Sequence, residues 1–194
     1  MKQKEGSMRR YVKYSLLLLV SAACSNNALP TNSVIGPSPL GTQAASAPLN
    51  FRTHLSPEEV VPALPVPSGA QGQAIFQLDP GGTELLYRVN VANIENVVGA
   101  HIHLAAAGSR GPLVALLVTP VPPPAGGRTD GVLAKGALTA EGLFGPLAGQ
   151  SLAALVDAIN AGNAYVDIPT NDGEAPANTG PGDYPGGELR GQIR

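Results

Sequence analysis

The chain has 194 residues and a formal net charge of −2, from 12 Lys and Arg against 14 Asp and Glu. That balance leaves no dense basic patch for a phosphate backbone, so nucleic acid is excluded from the expected partners. Charged residues are only 13% of the chain, whereas Gly (24) and Pro (19) are abundant, which favours one medium domain of short strands and many turns over long helices.

The first residues are basic at Lys2, Lys4, Arg9, Arg10 and Lys13, then apolar from Leu16 to Val20, then small at Ser21, Ala22 and Ala23, ahead of Cys24. This order predicts a secretory signal over residues 1–23. The apolar run is too short for roughly 30 Å of hydrocarbon, which argues against a permanent membrane span. Met8 is an alternative start, because Arg9 to Cys24 already makes a complete signal. Small residues before the chain's one cysteine resemble the bacterial lipobox, in which the thiol is diacylated and becomes the new N-terminus. Ser21 stands where that motif commonly has Leu, and a plain cut near Ala23 would instead release a secreted protein. Ser25, rather than Asp, follows the cysteine, which the resemblance reads as delivery to the outer membrane. With no second cysteine, a disulfide within the chain is impossible, and acylation accounts for the odd thiol.

Residues 24–48 hold the acylated Cys24 and a stretch of Ser, Asn, Thr, Pro, Gly and Ala without apolar period, expected to be a disordered tether. The domain is expected over 49–194. Alternation in Ala74-Phe76-Leu78, Leu85-Tyr87-Val89-Val91 and Ala100-Ile102-Leu104 predicts strands with one buried face. Phe51 to Leu55, Leu113 to Val118, Val132 to Leu138, Ala164 to Ile168 and Glu188 to Ile193 are further strands. Trp is absent and Phe occurs 3 times, so Leu, Val, Ile and Ala must build the core, with Tyr87 and Tyr165 as large fillers. Leu152, Leu155, Val156 and Ile159 fall at i, i+3, i+4 and i+7 and predict one amphipathic helix, with Ser151 at its N-cap and Gly162 as its stop. Its polar face lacks Lys and Arg, which argues for core packing rather than membrane contact. Two Pro/Gly-rich loops, 120–130 and 170–187, complete the pattern.

Seven pieces resemble the CHRD domain, named for the repeats in chordin, in that family's order. They are Leu55 and Ser56 leading to Glu59-Val60-Val61-Pro62; Gly72-Gln73-Ala74-Ile75-Phe76; Leu86-Tyr87-Arg88-Val89; Ala100-His101-Ile102-His103; Gly111-Pro112-Leu113-Val114; Ala161-Gly162-Asn163-Ala164-Tyr165-Val166; and Gly186-Gly187-Glu188-Leu189-Arg190-Gly191-Gln192. The resemblance spans roughly Phe51 to Ile193. It implies an all-β, immunoglobulin-like or superoxide-dismutase-like antiparallel β-sandwich, a binding or scaffolding role, and no established enzymatic activity. One stretch departs from it. Where the family commonly reads Tyr-Val-Asn-Val-His-Thr, this chain has Tyr165-Val166-Asp167-Ile168-Pro169-Thr170, losing a histidine and gaining an Asp and a strand-ending Pro.

On a strand, His101 and His103 share a face, and an imidazole pair of this kind suits Cu or Zn. A stable site needs a third ligand, for which Asp167, Glu188 and His54 are the candidates. Two other roles stay open: hydrogen bonds to loop carbonyls that order the 108–112 turn, and direct contact with a partner. Glu188 and Arg190 also share a face, as a structural ion pair with each other or with Arg110 and Asp167. Asp167, Asp172, Glu174 and Asp183 invite a calcium reading, but their spacing matches no EF-hand and a solvated loop fits them better. No nucleophile elbow, phosphate loop or dinucleotide fingerprint is present, so no catalytic residue is expected.

The expected protein is therefore a lipid-anchored, non-catalytic binding or structural module of the cell envelope, needing no cofactor. Its partners would be the membrane, through the anchor, and a protein or envelope ligand. The alternative is a Cu- or Zn-binding or redox protein using His101 and His103. Anchoring has a direct check. Cys24→Ala should abolish lipid modification and move the protein into the aqueous phase of a detergent separation, because the tether and domain contain no other long apolar stretch. Retention on membranes after a high-salt wash would rule the lipid anchor out.

Overall fold

The computed structural model describes residues 50–194. The expected signal, Cys24 and the tether lie outside the described residues. Eight strands form two four-stranded antiparallel sheets. The first carries β1 (Asn50–Leu55), β2 (Gln71–Leu78), β3 (Leu85–Glu95) and β6 (Arg128–Leu138), in the order β1-β2-β3-β6. The second carries β4 (Ala100–Leu104), β5 (Leu113–Val118), β7 (Ala164–Ile168) and β8 (Leu189–Gln192), in the order β5-β4-β7-β8. The fold is the expected all-β sandwich.

Period-two patterning explains which face each strand buries. Phe51 and Leu55 of β1, Ala74 and Phe76 of β2, and Leu85, Val89 and Val91 of β3 point inward. They meet Ala100 and Ile102 of β4, Val114 and Leu117 of β5, and Val166 and Ile168 of β7. In β3 the phase slips by one residue, so that Ile94 rather than Asn93 is buried. The register shifts between Val91 and Ile94, where Asn93 takes a left-handed φ of 57° and inserts as a bulge. This bulge extends β3 to Glu95, and β6 begins at Arg128, four residues ahead of the predicted Val132. The edge strand β6 pairs only with β3 and is largely exposed.

The helix α1 (Leu152–Asn160) buries the four residues its spacing singled out. Ser151 occupies the N-cap in an extended conformation, although its side chain makes no capping bond. At the other end, Gly162 takes a φ of 71°, its N–H donates to Ile159 O, and Asn163 N–H donates to Ala158 O. This is a Schellman stop, and it needs a residue without a Cβ penalty at position 162. Among the described residues no helix is long and apolar enough to cross a membrane.

The two sheets are joined along one edge by main-chain bonds between β1 and the last strand. Arg52 and Arg194 exchange N–H···O bonds at 2.8 and 2.9 Å, and Ser56 and Arg190 do so at 2.9 and 3.2 Å. Gly191 permits this approach, because a Cβ there would overlap the His54 carbonyl. As a result β8 is buried along its whole length, and its polar residues need partners inside the protein.

Glu188, just before β8, is fully buried. Its carboxyl accepts hydrogen bonds from Ser68 Oγ, from Thr170 Oγ1 at 2.7 Å and from Gly182 N–H at 2.9 Å. The β1–β2 connection and both ends of the long β7–β8 connection are therefore fixed to one side chain. Glu188→Ala would leave two buried donors and the half-buried Ser68 hydroxyl without an acceptor and should cost about 3 kcal/mol, with Glu188→Gln costing less. Urea unfolding checks this, with a lower midpoint and an unchanged slope expected.

Candidate functional site

The outer face of the second sheet is the polar one. Residues of β4, β7 and β8 stand side by side there, because His101 pairs with Asp167, His103 with Tyr165, and Asp167 with Arg190. The sequence pattern brought the two histidines to one face, and the register adds Asp167. One nitrogen from each histidine and one Asp167 oxygen lie within 4.8 Å of one another.

His103 is held by its other nitrogen. Its Nδ1 lies 3.0 Å from the Gly111 carbonyl, which accepts the ring N–H and leaves the Nε2 lone pair facing the cluster. Gly111 can come this close because it has no side chain, since a Cβ would run into Leu104 O. Gly111 N–H in turn donates to Tyr165 Oη at 3.2 Å. The Tyr165 ring lies nearly parallel to that of His103, with centroids 5.1 Å apart, and the Arg190 guanidinium sits 3.7 Å from the Tyr165 centroid. Tyr165 is thus not the core filler its size suggested; it is a wall of the site. Tyr184, 1% exposed, is the large buried aromatic that composition did not single out.

His101 is placed edge-on to His103, with centroids 6.0 Å apart. Gly99 leaves room for its ring, which a Cβ would strike. The Nε2 atoms of both histidines are buried without a hydrogen-bond partner. Buried imidazole nitrogens in that state are costly unless something binds them. Asp167 Oδ2 is 4.0 Å from His103 Nε2, too far for a direct hydrogen bond. Gly187, at a φ of 115°, lies so close over the Asp167 carboxyl that no Cβ would fit.

The other sequence candidates are placed elsewhere. His54 lies exposed on β1, in the other sheet, and Glu188 is turned into the loop junction described above, so neither joins the cluster. The expected Glu188–Arg190 ion pair is corrected as well: among the described residues no ion pair joins them. Arg190 points instead to Ser109 O, at 2.6 Å, and to Tyr165. The four acidic residues considered for calcium do not converge. Asp172 accepts from Glu174 N–H, and Asp183 from Thr179 N–H and Oγ1. Pro169 ends the ladder of β7 at Ile168, and its carbonyl accepts from Val98 N–H.

Electrostatics follow from burial. Desolvation, reinforced by repulsion from His103, lowers the His101 pKa to about 4. His103 is also lowered, first by burial and then by Arg110 and Arg190, against the opposing bond to Gly111. Both rings are therefore neutral at pH 7, the form in which imidazole binds metals. Burial raises Asp167 to about 7, although Arg110, Arg190 and the Ile168 N–H oppose the shift.

This is an all-β sandwich carrying a His-His-Asp cleft on the outer face of one sheet. The model of the CHRD domain family matches residues 51–193, and the chain belongs to that family. No curated protein and no solved structure was found to match the chain.

A carboxyl raised from 3.8 to about 7 favours folding fully below pH 3.8 and loses that contribution as the pH climbs to 7. His101 works in reverse, losing stability as the pH falls from 6.5 towards 4. Asp167→Asn should therefore melt higher than the wild type at pH 8 in metal-free buffer, with the gap closing towards pH 4. Thermal melts of the two proteins across this range test the assignment, and a gap independent of pH would refute it.

Proposed function

We propose that the protein is a lipid-tethered, extracytoplasmic binding module whose ligand is a divalent transition metal, Zn or Cu, held by His101, His103 and Asp167. One observation carries the reading: two neutral imidazoles, each with a buried Nε2 that has no partner, bring one nitrogen apiece within 4.8 Å of each other and of a carboxyl oxygen. His103 also shows the arrangement typical of metal-binding histidines, with one nitrogen donating to a main-chain carbonyl and the other left to the ion. Tetrahedral Zn at about 2.0–2.1 Å from each donor would set the donors roughly 3.4 Å apart. The three side chains would accordingly close in by an ångström or so on binding. Three protein ligands would leave a fourth position for water or another ligand. The export-type N-terminus and the tether-like segment support display outside the cytoplasm, and binding rather than turnover is the role proposed.

A second reading has its own support, since the His103–Gly111 bond orders the loop after β4 with or without a metal. Metal titration of the purified, chelator-stripped protein separates the two. One equivalent of Zn or Cu should bind, with at least about a hundredfold loss of affinity in His101→Ala/His103→Ala and a smaller loss in Asp167→Asn. Negligible metal in wild type and double variant alike would leave the histidines as loop-ordering groups only.

A further inference from the structure

The same cleft holds two arginines that the metal reading does not use. Arg110 and Arg190 line a cavity of about 90 Å³ together with His103, Tyr165 and Asp167. Arg190 is 3% exposed. Each guanidinium has one hydrogen bond, to a main-chain oxygen: Arg110 to Gly186 and Arg190 to Ser109. Among the described residues neither has a carboxylate within 4.0 Å, the only ion pairs being His103–Asp167 and Arg128–Asp130. A buried guanidinium ordinarily has an anionic partner. Here the buried Arg190 and the exposed Arg110 face one carboxyl, so the cavity carries at least one excess positive charge.

A second cavity, of about 350 Å³, shares Val60, Val61, Arg110 and Gly186 with the first and continues along Pro62, Ala63, Leu64 and Pro65. Beyond the guanidiniums the stretch from Val60 to Pro65 is therefore an apolar wall, and Asn178 and Gly187 complete the lining. We propose that this double cleft binds an organic monocarboxylate, its head between Arg110 and Arg190 and its aliphatic tail along the Val60–Pro65 wall. A planar carboxylate matches the two-pronged donor geometry of guanidinium. A monoanion is favoured over a dianion, because Asp167 lines the same small cavity and repels a second negative charge. The smaller cavity has room for a few heavy atoms, which suits a carboxylate head and leaves the tail to the larger one. Guanidiniums rather than imidazoles carry this inference, so it stands apart from the metal reading.

The test uses the purified, metal-free full chain, with acetate, butyrate and inorganic phosphate titrated at constant ionic strength. Amide shifts of Gly186 and Gly187 report binding. Butyrate should saturate the site and bind more tightly than acetate, by up to about fifteenfold if both extra methylenes are buried. Exposed Arg110→Ala should weaken butyrate by about tenfold or more, whereas Arg128→Ala, on the other sheet, should leave it unchanged. Arg190→Gln should abolish binding if the variant folds, and Arg110→Ala decides the matter if it does not. Any of three results overturns the proposal: no saturation by butyrate, an affinity unchanged by Arg110→Ala, or phosphate binding more tightly than butyrate. Equal affinity for acetate and butyrate would overturn the apolar tail. Because no metal is present, loss of the metal reading would not alter any of these outcomes.

Discussion

A single buried carboxyl sets the position of nearly everything around the site. Glu188 gathers Ser68 from the loop after β1, Thr170 from the end of β7 and Gly182 from the long loop before β8. A buried acceptor of this kind is stable only if its donors are held in place, and the donors are satisfied only if the carboxyl stays. The consequence reaches the neighbouring strand. With Gly182 fixed, the chain returns through Gly186 and Gly187 directly over Asp167, and the Gly186 carbonyl takes a bond from Arg110. The β1–β8 seam completes the arrangement by drawing the last strand in until its polar face is enclosed.

The resulting cleft combines groups with opposed electrostatic demands. Neutral imidazoles and a carboxyl invite a cation, and the two guanidiniums beside them repel one. Burial acts on the imidazoles and the carboxyl in the same sense, by disfavouring charge, which is why His101 is depressed and Asp167 is raised. A cation and an organic carboxylate bound side by side would resolve the conflict, with each ligand offsetting the charge of the other. Such a site costs stability while empty, as binding sites commonly do. The glycines at 99, 111 and 187 fit the same picture, since each gives up a side chain so that a functional group can approach closely.

The strands, the helix and its stop were legible in the sequence because they depend on local chemistry: period-two and period-3.6 patterning, and glycine where φ must be positive. The pairing of His101 with His103 on one face was legible for the same reason. The ordered motifs from Leu55 to Gln192 gave the family. Strand ends were less legible. The Asn93 bulge shifts the phase of β3, and the early start of β6 reflects its ladder with β3 rather than its own composition.

That Asp167, rather than Glu188 or His54, stands beside the two histidines was decided by tertiary structure alone. All three were chemically suitable, and only the register of β4 on β7 places one of them beside the histidines. Tyr165 changed from core filler to site wall, and Glu188 from ion-pair partner to loop anchor, because each role depends on what covers the outer face of β7 and β8. That cover comes from loops distant in sequence, including the segment from Val60 to Ala70 and the turn at Gly186. Periodicity fixes which side of a strand a residue occupies, but burial and partners on that side are set by long-range contacts that no local pattern encodes.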